Sequence, residues 1–221
     1  MIVGKFIAVI VVAYLLGAIP FSSIVSRLIG GIDISKHGSG NIGGTNVLRA
    51  LGLKAGALAV ALDLAKAAGA VALAKVIVGD DVLLVAGFPL HWQVAQLMAA
   101  LMVMVGHNWS VFIKFRGGKG VAAYFGGWLV ICPAAALFGG VITLFIVLRT
   151  RYMSMGSIIG SLAILCLLIP LTIVYEFPPF YLAYSLVAAG LIVYQHRNNI
   201  TRLQTGTELR LGADKGKNTD L

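Results

Sequence analysis

Charge, and acidic charge above all, is scarce in this chain. Asp and Glu number 8 against 17 Lys and Arg, and the four types together make up 11% of 221 residues. A soluble domain carries about 25% charged residues and about 45–50% apolar ones. This chain is 59% hydrophobic, with a mean hydropathy of +0.95. So few charges cannot cover the surface of a water-soluble protein of this length. The composition therefore argues for a single domain whose outer solvent is lipid. Cysteine is scarce too. Cys132 and Cys166 lie in apolar stretches without metal-ligand spacing, which argues against a disulfide framework or a thiolate metal centre. Both read as small hydrophobes in helices. The amino-terminal MIVGKFIAVIVVAYLLGAIPF has one early lysine and no clear small-x-small cleavage site, so it reads as a retained first span and not as a signal peptide.

What the chain has in place of charge is long apolar runs. A span needs about 20 apolar residues, and the runs place spans at 4–26, 53–78, 82–106, 156–175 and 180–195. The run 120–148 would be about 44 Å long as one helix, against a hydrocarbon core of about 30 Å. Cys132-Pro133 falls near its middle, and a proline there predicts two shorter helices that meet at it. The cations favour that split. Of 17 Lys and Arg, 14 fall in four groups, 27–54, 114–119, 149–151 and 197–217. Splitting 120–148 puts all four groups on one face. Lys and Arg collect in cytoplasmic loops, while Asp80, Asp81 and Glu176 fall on the other side. The expectation is an all-α, polytopic membrane helical bundle of about seven transmembrane helices. Its N-terminus is outside and its C-terminus cytoplasmic. It forms one domain over 1–221, with 205–221 as a flexible cytoplasmic tail.

Four polar stretches on the cytoplasmic side are not explained by lipid. In SKHGSGNIGGTNVLRALG, residues 35–52, glycines free the backbone to turn N–H groups toward an anion. Ser39, Asn41, Thr45 and Asn46 add neutral donors, and Arg49 adds a fork suited to phosphate. In GHNWSVFIKFRGGKG, residues 106–120, Gly117, Gly118 and Gly120 can expose amides beside the Lys119 charge. A helix starting just after would aim its N-terminal dipole at the same place. The loop lacks the Ser/Thr and the spacing of a nucleotide P-loop. In RTRYMSMGS, residues 149–157, Ser154 and Ser157 suit either ligand binding or helix packing. In YQHRNNITRLQTGTE, residues 194–208, His196 and Asn199 share a helical face and suit hydroxyl recognition, with Arg202 and Glu208 following. Asp63 and Lys66, three apart inside the second span, read as a buried pair that fixes helix packing.

No His is followed five residues later by Asp, and no D-G-x-x-A-R occurs. The first absence excludes the His–Asp pair of soluble-type acyltransferases. The second excludes the pattern of enzymes that move phospho-alcohols between lipids. A carrier of a phosphorylated small solute is the alternative from another class. It would line a path through the bilayer with polar groups, often within an inverted repeat, and no convincing repeat is present.

Taken together, GSGNIGGTNVLRALG, LDLAK, GHNWSVFIKFRGGKGVA, RYMSMGSI and HRNNITRLQTGTE resemble the bacterial acyl-phosphate:glycerol-3-phosphate acyltransferase family, in order and over nearly the whole chain. The chain departs from the family pattern at Gly44, Ser110 and Ala123, where the family favours alanine, proline and threonine. The resemblance implies transfer of an acyl group from acyl phosphate to the 1-hydroxyl of glycerol 3-phosphate. The products are lysophosphatidic acid and phosphate, in the first acylation of phospholipid synthesis at the bacterial inner membrane. It implies no metal, cofactor or nucleic acid, and neither acyl-CoA nor acyl carrier protein as direct donor. On that reading the amides of Gly117, Gly118 and Gly120 with Lys119 hold the donor phosphate. Ser39, Asn41, Thr45, Asn46 and Arg49 complete the phosphate sites, and His196 and Asn199 orient glycerol 3-phosphate. Glu208 braces the tail, and His107 is either a general base or a packing residue. A bound phosphate oxygen is the other candidate to take the proton.

Overall fold

The computed structural model describes residues 1–212. The end of the expected tail, 213–221 with Lys215 and Lys217, lies outside the described residues. Ten α-helices, two single-turn 3₁₀ helices and one short hairpin make up the regular structure of the described chain. The first apolar run is interrupted at Pro20, whose missing N–H and ring stop a helix. It becomes α1 (Ile2–Ala18) and α2 (Phe21–Gly30), the second ending on left-handed Gly31. The polar stretch that follows contains a short helix, α3 (Gly44–Leu51), and Gly52 at φ 88° separates it from α4 (Leu53–Val78). With 26 residues, α4 is about 39 Å long.

The expected span 82–106 is corrected at its start. Residues Leu83–Val85 (β1) and Phe88–Leu90 (β2) pair antiparallel across a two-residue turn. Ala86 and Gly87 have φ 49° and 83°, the positive values that a twist-matched hairpin turn requires. Pro89 would in any case disrupt a helix there. The helix begins only at Trp92, as α5 (Trp92–Asn108). The long run 120–148 forms α6 (Val121–Ile131) and α7 (Pro133–Thr150), which meet at Cys132 with Pro133 in the first turn of α7. There the proline costs no hydrogen bond. Then come α8 (Met153–Val174), α9 (Pro179–Gln195) and α10 (Arg197–Gln204).

Among the described residues, five helical stretches are long and apolar enough to cross a membrane, and α6 and α9 are shorter apolar helices. Large hydrophobic side chains lie exposed along the bundle, among them Val141, Leu144, Phe145 and Leu148 of α7, as expected where lipid replaces water as solvent. Between helices, lipid offers no hydrophobic drive, so close backbone approach supplies the packing. At the crossing of α1 and α5, a methyl on Gly17 would strike the backbone of Val103, and one on Gly106 would strike that of Tyr14. The fully buried rings of Tyr124 and Trp128 meet Tyr184 in the centre, and Tyr124 Oη bonds Ser185 Oγ at 3.0 Å.

The two ends of α4 distinguish the two ends of the bundle. Near Val78, Lys5 pairs with Asp81 at 2.7 Å. Near Leu53, Arg49 donates to the Leu209 carbonyl, Lys119 donates to Asn199, and the Leu211 amide donates to the Arg151 carbonyl. Four cationic segments far apart in sequence thus converge at one end.

Candidate active site

At that end lies a cavity of about 460 Å³. Its polar part is lined by Ser39, Asn41, Thr45, Asn46 and Arg49 from the first loop and α3. Lys119 and Gly120 come from the second loop, Ser154 and Ser157 from the first turns of α8, and His196, Asn199 and Glu208 from the C-terminal segment. Its apolar part runs between α4, α6 and α7. It is lined by Val60 and Leu64, by Phe125 and Leu129, and by Ala136, Gly140 and Leu144, all at the four-residue spacing that stacks side chains on one helix face.

A hydrogen-bond network holds the polar part. Glu208 is buried. Its Oε1 accepts from Ser154 Oγ at 2.7 Å and Asn199 Nδ2 at 2.6 Å, and its Oε2 from Arg202 Nε at 2.8 Å. Burial alone would raise its carboxyl pKa, but the bonds from Asn199, Ser154 and Arg202 outweigh burial and hold it below the ordinary carboxylate value. Asn199 Oδ1 then accepts from Lys119 Nζ, so Glu208 sets Asn199 and Asn199 meets the lysine. Burial pulls the Lys119 ammonium down to about 8, and the positive Arg202 and Arg49 add to the shift while Glu208 opposes it. His196 Nδ1 donates to the Ile192 carbonyl at 2.8 Å. Burial, reinforced by the Lys119 charge, lowers its pKa to about 4. Its imidazole is therefore neutral at pH 7, with the proton on Nδ1 and an acceptor lone pair on Nε2.

Several expected ligands are engaged differently from the sequence reading. Asn46 spends its carboxamide on its own loop: Oδ1 accepts the Ser39 amide at 3.1 Å, and Nδ2 donates to the carbonyls of Ile34 and His37. It lines the cavity as a brace. Gly118 donates its amide to the His107 carbonyl at 3.0 Å, so that N–H is not offered to an anion. Neither Gly117 nor Gly118 lines the cavity. A side chain on either would collide with His107, so these glycines permit a close approach to α5. Gly120, left-handed at φ 81°, starts α6 and does line the cavity. Arg202 lies behind the cavity on Glu208. Ser157 Oγ donates to the Met153 carbonyl at 2.8 Å, which leaves its lone pairs toward the cavity. Helix packing falls instead to Gly156 and Gly160, which face Thr143 and Gly139 of α7.

The sequence reading missed two features. Asp63, read there only as a packing partner, lines the cavity together with His107, whose Nδ1 lies 3.1 Å from Lys66 Nζ and 3.4 Å from Asp63 Oδ1. The apolar arm went unread because its four-residue repeats sit among many others, and only packing selects those that face inward.

The glycerol-3-phosphate acyltransferase family model matches residues 7–206. A glycerol-3-phosphate acyltransferase 3 of Dehalococcoides mccartyi (strain CBDB1) is 43% identical, over 96% of this chain and 98% of its own. A glycerol-3-phosphate acyltransferase of Thermus thermophilus is 48% identical over a shorter stretch, 51% of this chain and 55% of its own. Among solved structures, PlsY (YgiH), an integral membrane glycerol 3-phosphate acyltransferase, superposes in its glycerol 3-phosphate form with a TM-score of 0.80. The two share 36% identity over 94% of this chain and 96% of that one. Its lysophosphatidic acid form superposes with a TM-score of 0.79 over 94% and 95%. Matches of this extent, on a bundle whose polar segments converge at one cavity, mean that the chain belongs to the glycerol-3-phosphate acyltransferase family and is an integral membrane acyltransferase.

Proposed function

We propose that the acyl donor of this glycerol-3-phosphate acyltransferase is a long-chain acyl phosphate. The acyl group passes to the 1-hydroxyl of glycerol 3-phosphate at the cytoplasmic face of a bacterial inner membrane. The chain acts as one domain of seven spans, with its N-terminus outside. The observation that carries the reading is the shape of the cavity: a polar end with two cations, Arg49 and Lys119, continues into an apolar arm between helices. Such a site suits a reactant with an anionic head and a fatty tail beside a small anionic acceptor.

Holding both reactants side by side supplies much of the barrier reduction. Lys119, with Gly120 at the start of α6, takes the donor phosphate and stabilises its charge as it leaves. Ser39, Asn41, Thr45 and Arg49 complete the anion sites. His196 Nε2 accepts from a hydroxyl of glycerol 3-phosphate, and Asn199 fixes the lysine. The acceptor oxygen forms its bond to the acyl carbon as the bond from that carbon to the phosphate oxygen breaks. Phosphate leaves with the electron pair and takes the hydroxyl proton. No protein base is needed, and His196, at a pKa of about 4, is too weak to serve as one at neutral pH.

Purified protein in detergent, given palmitoyl phosphate and glycerol 3-phosphate, is expected to release phosphate in step with lysophosphatidic acid, and palmitoyl-CoA is expected to yield no product. Product from palmitoyl-CoA alone would overturn the donor assignment, and a carrier would release no phosphate at all. His196→Ala loses one hydrogen bond to the acceptor, about 1.4 kcal/mol, and is expected to raise KM for glycerol 3-phosphate about tenfold. An unchanged KM removes His196 from acceptor binding.

A further inference from the structure

At the wall of the cavity, where Asp63 and His107 line it, lies a charged cluster with no part in the transfer described above. Lys66, halfway along α4, is buried. Its Nζ lies 2.7 Å from Asp63 Oδ1, 2.8 Å from the Ile19 carbonyl and 3.1 Å from His107 Nδ1. An ammonium has three N–H bonds, and here three acceptors surround it. One is on its own helix. One is the Ile19 carbonyl at the Pro20 break between α1 and α2, outside the helix ladder, which also receives the Phe21 amide at 3.1 Å. One is in the last turn of α5. With its donors committed, Lys66 has none left for a phosphate, and it does not line the cavity.

What it holds is the seat of the Lys119 loop. Accepting at Nδ1 leaves the His107 ring proton on Nε2, and Nε2 abuts Gly118, where a side chain would collide with it. The His107 carbonyl takes the Gly118 amide. His107 thus touches the loop through both ring and backbone, one residue before Lys119. Stability alone is a poor explanation for such a cluster, since apolar residues of similar volume often replace a buried ion pair at no cost.

We propose that Lys66 is a positioning residue for acyl transfer: by binding Asp63, Ile19 and His107 at once, it fixes the His107 ring under Gly118 and so the place of Lys119 at the cavity. His107 acts in the same way, as part of the seat and not as a base. The inference rests on the reading of Lys119 as a phosphate ligand, and the test separates the two.

The double variant Asp63→Leu with Lys66→Met removes the cluster without stranding a charge. Two readouts are taken on protein that elutes as a single species in detergent with a wild-type thermal midpoint. One is the kcat and KM for glycerol 3-phosphate. The other is the pH at which Lys119 is half labelled by an amine reagent without substrate, followed by mass spectrometry. The expected results are a kcat at least about tenfold lower with KM within about threefold, as for lost transition-state contacts. The half-labelling pH, near 8 in wild type, should rise by a unit or more as the loop releases the lysine to water. If neither readout moves, or if kcat falls while labelling stays put, the proposal is overturned. If labelling moves and kcat does not, Lys119 is no phosphate ligand and the proposal falls with that reading. His107→Phe, which leaves the Asp63–Lys66 pair in place, is expected to move both readouts the same way and serves if the double variant does not fold. Lys5→Met, which breaks the pair with Asp81 at the far end, is expected to leave both unchanged.

Discussion

Lys119→Met is expected to lower kcat/KM for acyl transfer about 10³-fold, the loss seen when one preorganised donor to a developing anion is removed. Methionine keeps the length and apolar stem, so the variant should insert and fold. The other cation at the cavity, Arg49, already serves the remaining anion site, so it does not replace the lost charge. A Lys119→Met protein that keeps full turnover would falsify the role given to the loop.

The same residue sets an alkaline limit. The free-enzyme ammonium titrates near pH 8 because it is buried among cations, and only its charged form attracts phosphate. kcat/KM reports the free enzyme and kcat the bound complex. kcat/KM is therefore expected to fall above about pH 8, while kcat persists to higher pH, because a bound dianion stabilises the ammonium and raises its pKa. In Lys119→Arg, whose guanidinium stays charged, the alkaline limb of kcat/KM should disappear even if the rate is lower. An unchanged limb in that variant assigns the titration elsewhere.

How much of this was legible in the sequence depends on the level asked about. The spans, the break at Pro133 and the four cationic groups follow from local rules: run length, proline at a helix start, cations on one face. Residues 83–90 did not, because a hairpin of Leu, Val and Phe has the hydropathy of a span, and only the Ala86-Gly87 turn with Pro89 marks it. Residue types pointed to anions in two of the four polar stretches and to a hydroxyl in a third, and all four stretches do converge. Their individual duties could not be assigned that way. Whether Asn46 faces a ligand or its own loop, and whether Gly118 offers its N–H or spends it, depends on a neighbour distant in the chain. Lys66 shows the same limit. The spacing to Asp63 gave one of its three partners, but the second comes from α5 and the third is the Ile19 carbonyl at the Pro20 break.

Glu208→Gln is expected to cost about 100-fold in kcat/KM although the residue need touch neither substrate. The wild-type carboxylate accepts on both oxygens, from Ser154 and Asn199 on one and from Arg202 on the other. A carboxamide has one oxygen and one NH₂. If the oxygen faces Ser154 and Asn199, the NH₂ opposes the Arg202 donor; if it is turned over, two donors lose their acceptor. Hydrogen bonds to a charged group are worth about 1.5–3 kcal/mol each, so losing one side spans the expected factor. The damage passes to Lys119 through Asn199. Ser154→Ala removes a single neutral donor and leaves Arg202 and Asn199 in place, and it should cost only about tenfold, the low end of that range. The pH dependence gives a separate check. A carboxyl whose folded pKa is depressed stabilises the protein above its unfolded pKa, and that contribution is lost as pH falls through the folded value. Wild-type thermal stability should therefore begin to fall as pH drops through the ordinary carboxylate range and keep falling to the depressed folded value, and Glu208→Gln should flatten that acid limb. A Gln variant with wild-type turnover and an unaltered acid limb would mean that the carboxylate's charge does not organise the site.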